Sequence, residues 1–166
     1  MFRLWLSLVG LPGLILLLPA LILLLILLLI FGVLGLLLLV LILLLVSIYN
    51  AYAAMSGKKE LSAQAKKMSL FTLIFTHVQI ILGLVMYFIS PKVQFNSGTM
   101  GDSQIRFFTM EHILMMLIAV TLITVGYRMS KQGNAKKMFW YYFIGLVVIL
   151  AAIPWPFRTV LGGHWF

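Results

Sequence analysis

Residues 4–57 carry no side chain that is charged at neutral pH, and twenty of the thirty-three residues from 14 to 46 are leucine. A run of this kind belongs in hydrocarbon rather than in water. A helix rises about 1.5 Å per residue and a bilayer core is roughly 30 Å thick, so about 20 apolar residues make one crossing. The run is too long for one simple crossing. One reading breaks it near Gly32-Val33-Leu34-Gly35, giving helices over 14–31 and 36–54 and five spans in all. That turn would lack polar side chains, and irregular backbone facing lipid leaves unsatisfied groups. The other reading keeps one span ending near Ala54, with the remainder tilted or interfacial and interrupted at Pro12-Gly13 and Pro19. A secretory signal peptide fits poorly, because its apolar region is about 7–15 residues long and no cleavage site is evident.

The rest of the chain agrees with a membrane setting. Of its 166 residues, 64% are hydrophobic and 9% are charged, and the mean hydropathy is +1.18. The expected fold class is all-α, an integral membrane helical bundle of four transmembrane helices with room for a fifth at the N-terminus. Residues 1–35 form a leucine-rich segment and 36–166 the bundle. There is no cysteine, which removes disulfides, thiolate metal sites and thioether-linked haem.

The net charge of +9 reads as topology rather than as nucleic-acid binding. Lys58, Lys59, Lys66 and Lys67 fall in one polar connection and Arg128, Lys131, Lys136 and Lys137 in another, with two apolar segments between them. Both connections then face one side, opposed by Lys92, Arg106 and Arg158, and the positive-inside rule makes the richer side cytoplasmic. These are short loops, not a basic face interleaved with stacking aromatics. No nucleic-acid partner is expected.

Three later spans are predicted at 68–89, 104–129 and 137–153. The first could begin near Ser62 and is ended by Ser90-Pro91, because the residue before a proline avoids the helical region. Pro154 and Pro156 close the last, which aromatics bracket at both ends in the manner of interfacial belts. The loop 91–103 has the composition of turns and is expected to be exposed on the extracytoplasmic side. Asn96-Ser97-Gly98 is no glycosylation acceptor, and no phosphate-binding glycine motif is present.

Chemistry in such a chain has to come from polar groups at membrane depth, where they are costly. The candidates are His77, Glu111 and His112 within the spans, and Arg158 and His164 after the last. Two neutral imidazoles could clamp a haem iron. His77 lies roughly 14 Å along its helix from residue 68, and His112 roughly 22 Å along an antiparallel neighbour from Tyr127. The mismatch of about 8 Å opposes one haem between them unless tilt removes it. His112 with His164 needs a tail that folds back. His77 also reads as an interhelical hydrogen-bonding group, His112 as a partner of Glu111 or Arg158, His164 as an interfacial residue, and Glu111 as a proton or quinone contact. Arg158 reads most simply as a headgroup anchor.

Helical spacing places Thr72, Thr76, Gln79 and Gly83 on one stripe, with His77 off it. His112, Ala119 and Gly126 repeat every seven residues, the kind of small or weakly polar seam along which membrane helices approach closely. Met110, Met115 and Met116 read as flexible packing groups rather than metal ligands.

From Ser47 onward the chain resembles a family of small membrane proteins of Bacteroidetes-type bacteria often labelled cytochrome b-like. The resemblance is carried by Ser47-Ile48-Tyr49-Asn50-Ala51-Tyr52, Gly57-Lys58-Lys59-Glu60, Phe75-Thr76-His77-Val78-Gln79, Met110-Glu111-His112-Ile113-Leu114-Met115-Met116 and Ile153-Pro154-Trp155-Pro156-Phe157-Arg158. It implies a four-helix bundle of a bacterial inner membrane linked to respiratory electron transfer. The family's first span opens with a histidine followed shortly by Arg-Trp, an element with no counterpart here. The expected function is an accessory, non-catalytic subunit in the lipid bilayer, associated with membrane-protein partner subunits. The alternative is a small b-type cytochrome carrying haem b on His112, with His77 or His164. A transporter lacks support, because no broken helix or paired charge defines a midplane site.

Overall fold

The computed structural model describes residues 11–155 and Arg158. Four helices follow one another: α1 (Leu11–Ser56), α2 (Ala63–Ile89), α3 (Ser103–Lys131) and α4 (Ala135–Ala152). Among the described residues, Gly32–Ser56 of α1 and the whole of α2, α3 and α4 are each long and apolar enough to cross a membrane. The chain forms two compact units, Met1–Leu36 and Leu37–Phe166. In the first, the helix runs through Pro19 and Gly32.

The turn that one reading places at Gly32-Val33-Leu34-Gly35 is absent, as are the interruptions that the other places at Pro12-Gly13 and Pro19, since α1 is helical from Leu11 to Ser56. The physical reason is the one that made the turn suspect. With no polar side chain to take up freed N–H and C=O groups, the helix is what satisfies the backbone there. The ends of α1 and α3 and the starts of α2 and α4 fall where polar residues arrive. Lys59 N–H bonds Ala54 O at 3.0 Å around Lys58, whose φ of 48° makes it the left-handed residue of the C-terminal turn. Ser62 caps α2 by accepting from Ala65 N–H, and Asn134 caps α4 by accepting from Lys137 N–H. Gly133, at φ 74°, closes α3 through the bond from Asn134 N–H to Met129 O.

In the second unit the core is formed by Leu44 and Ala51 of α1, Ala65 of α2, Ala119 and Ile123 of α3, and Met138, Tyr142 and Ile149 of α4. Large apolar residues on the other faces are exposed, among them Ile42, Ile81, Leu114 and Val147. In a chain of this composition they are the surface that lipid covers. Buried hydroxyls tie the helices together. Ser47 of α1 bonds Thr72 of α2 at 2.9 Å, and Ser69 of α2 bonds the Tyr142 hydroxyl of α4 at 2.5 Å. The stripe read from spacing is therefore half realised: Thr72 and Thr76 are buried, whereas Gly83 is exposed, with nothing within 4 Å of where a Cβ would stand. The seven-residue repeat on α3 holds better, with Ala119 and Gly126 both in the interior.

Candidate functional site

Arg106, Glu111, His112 and Arg158 lie at the end of the bundle away from the lysine-rich connections, around a local departure from α geometry. Phe107–Glu111 form a π-helical turn, closed by a bond from His112 N–H to Phe107 O five residues back. Such a turn inserts one extra residue and recurs at functional positions. It is anchored from outside the helix. The Tyr87 hydroxyl of α2 donates to Thr109 O at 2.7 Å, and the Gln94 N–H of the loop donates to Thr109 Oγ1 at 3.1 Å. Asp102 caps the start of α3 by accepting from the N–H groups of Gln104 and Ile105.

His112 and Glu111, neighbours in sequence, have different partners. His112 is half-buried, and its Nδ1–H donates to Ala152 O of α4 at 2.9 Å, which in the neutral ring leaves the lone pair on Nε2. Phe107 and Phe108, in contact with each other, lie beside the imidazole with centroids 5.8 and 6.4 Å away. Glu111 pairs with Arg106, whose Nε donates to Oε1 at 2.8 Å. The expectation that Glu111 or Arg158 partners His112 is therefore corrected. Adjacent helical residues diverge by about 100°, so Glu111 turns to Arg106 while the imidazole meets α4. Arg158 lies over the Phe107 ring at 5.2 Å and donates through a terminal nitrogen to Ala151 O. Lys92 lies over the Phe108 ring at 5.0 Å.

His77 stands apart. It is exposed, and its Nδ1–H donates to Leu73 O one turn back in α2 at 2.8 Å. No contact joins it to His112 among the described residues, and His164 lies outside them. The described residues contain no group of three or more His, Cys, Asp or Glu able to hold a metal ion. His112 and His77 are each bonded to a carbonyl through Nδ1, in the way that outer partners orient ligating histidines, but only His112 bonds a second helix. Among the described residues, His112 offers one axial haem ligand and no second imidazole stands beside it.

Sequence reasoning selected Glu111, His112 and Arg158 but missed Arg106, Thr109 and the two phenylalanines. Arg106 read as one of three topology charges. Nothing in the spacing announces a π turn, which shifts the register between the residues before and after it. No family model, no curated protein and no solved structure matches the chain.

Proposed function

We propose that the protein is a non-catalytic accessory subunit of a larger membrane complex, with respiratory electron transfer as the setting suggested by its resemblance to the cytochrome b-like family. The observation that carries this reading is the way the interior is filled. Where a bundle enzyme would open a site between its helices, Tyr142 lies over Gly126 and bonds Ser69, and Ser47 bonds Thr72, all five buried. Interior groups serve helix-to-helix packing, and outward faces are left for lipid and for neighbouring subunits. In this reading the protein is a multi-pass component of a bacterial inner membrane, with the loops 57–67 and 128–137 cytoplasmic and the chain following α4 on the other side.

Affinity isolation from native membranes in a mild detergent tests it. The expected result is a stable complex containing other membrane subunits in fixed proportion. Recovery of the chain alone, as a monomer, would sink the proposal.

One observation favours a second reading as a b-type cytochrome, namely the Nε2 lone pair of His112 set up by the bond to Ala152 O. Haem, when bound, would supply one-electron transfer. This chain's part would be to present Nε2 and to support the imidazole against Phe107 and Phe108. The reduced protein is then expected to show Soret and α bands that His112→Ala removes and His77→Ala leaves in place. A featureless visible spectrum excludes this reading without touching the first.

A further inference from the structure

Two grooves at the π-helical end share Phe95, Thr109 and Met110 and so form one continuous trough. The lower part, about 410 Å³, runs down α3 past Leu114 to Leu117 with Tyr87 of α2 on its other wall. From Thr109 to Leu117 is eight residues, or about 12 Å of helix. The upper part, about 340 Å³, ends among Asn96, Thr99 and Met100 of the loop. One end is therefore apolar and faces membrane depth, and the other is polar and interfacial. That gradient matches an amphiphile.

The rim is held by Arg106. Its Nε donates to Glu111, which lines the lower groove, and its Nη1 donates to Met100 O, which lines the upper. The guanidinium itself lines neither part but is held by one residue of each, and Nη2 has no partner among the described residues. The described charges at this end are Lys92, Arg106 and Arg158 against Asp102 and Glu111, and Asp102 is engaged with backbone N–H groups. An excess of positive charge beside an apolar trough selects an anionic head.

We propose that this trough is a binding site for an acidic glycerophospholipid, with one acyl chain along α3 between Tyr87 and Leu117 and the phosphate on Arg106. Planar guanidinium favours phosphate recognition over that by a point charge. Lys92 contributes attraction from beyond the rim. The site does not depend on which complex, if any, the protein joins.

Native mass spectrometry of delipidated protein, titrated separately with phosphatidylglycerol, phosphatidylcholine and inorganic phosphate, tests the proposal. One phosphatidylglycerol per chain is expected to bind more tightly than phosphatidylcholine, and inorganic phosphate is expected not to displace it. Arg106→Gln should weaken phosphatidylglycerol about tenfold, the equivalent of one lost charged hydrogen bond. Leu114→Trp should abolish retention by filling the trough. Leu114 is 59% exposed, so this variant should keep its helix content and unfolding profile, and it carries the test should Arg106→Gln misfold. Equal retention by wild type and Leu114→Trp, equal affinity for the two lipids, or displacement by inorganic phosphate would each overturn the proposal.

Discussion

Gly126→Ala is expected to destabilise the bundle by about 1–3 kcal/mol, the usual cost of overpacking a tight interior. A Cβ built on Gly126 would lie 2.4 Å from both Cδ1 and Cε1 of Tyr142 and 3.3 Å from Cβ of Tyr141. The Tyr142 ring has little freedom to retreat. It is fully buried, and its hydroxyl is bonded to Ser69 of α2, so moving the ring off α3 also strains the link to a third helix. Denaturant-induced unfolding in mixed micelles, followed by circular dichroism, measures the loss. The steric cause has its own signature. Tyr142→Ala alone should cost about 3 kcal/mol, whereas the double variant should cost clearly less than the sum, because the added methyl then enters vacated space. Additive effects would mean that the two residues do not compete for one volume.

Thr72→Val is expected to cost less, about 1 kcal/mol, because hydrogen bonds between membrane helices are worth about 0.6 kcal/mol on average and rarely exceed 1.7. Thr72 is fully buried, and its Oγ1 meets Ser47 Oγ at 2.9 Å and its own helix's Met68 O at the same distance. Valine keeps the volume and removes the hydroxyl, leaving buried Ser47 without this partner. Thr72→Ser retains the hydroxyl and should recover most of the loss under the same unfolding assay. If serine and valine behave alike, the α1–α2 contact depends on shape and not on the hydroxyl pair.

These two sites show what periodicity could and could not convey. The repeat of His112, Ala119 and Gly126 marked a face along which α3 would be approached closely, and Ala119 and Gly126 are indeed interior. That the approaching group is an aromatic ring, bonded onward to Ser69, involves a residue 73 positions away along the chain. No local pattern encodes such a pairing. Likewise Thr72 and Thr76 could be placed on one stripe from spacing alone, but the bonds of Thr72 to Ser47 and to Leu43 O of α1 could not.

The candidate site was readable in its members more than in its arrangement. Glu111, His112 and Arg158 stand out because titratable groups are rare and costly at membrane depth. Their partners could not be read, because the π-helical turn at Phe107–Glu111 alters the register that helical spacing assumes. Arg106 thereby becomes the counterion of Glu111, and His112 donates to the last turn of α4. His77 belonged to the same set by composition, yet it points away from the interior and bonds only its own helix.

By itself the sequence determined the solvent, the helical class and the polar breaks after Ser56, Ile89 and Lys131, because hydropathy, helix rise and capping residues act within a few residues of one another. Tertiary structure decided the ring seated on Gly126, the π turn and the trough beneath Arg106. Each of these depends on backbone satisfaction or shape between groups distant along the chain, and in hydrocarbon such fits, rather than hydrophobicity, discriminate one packing from another.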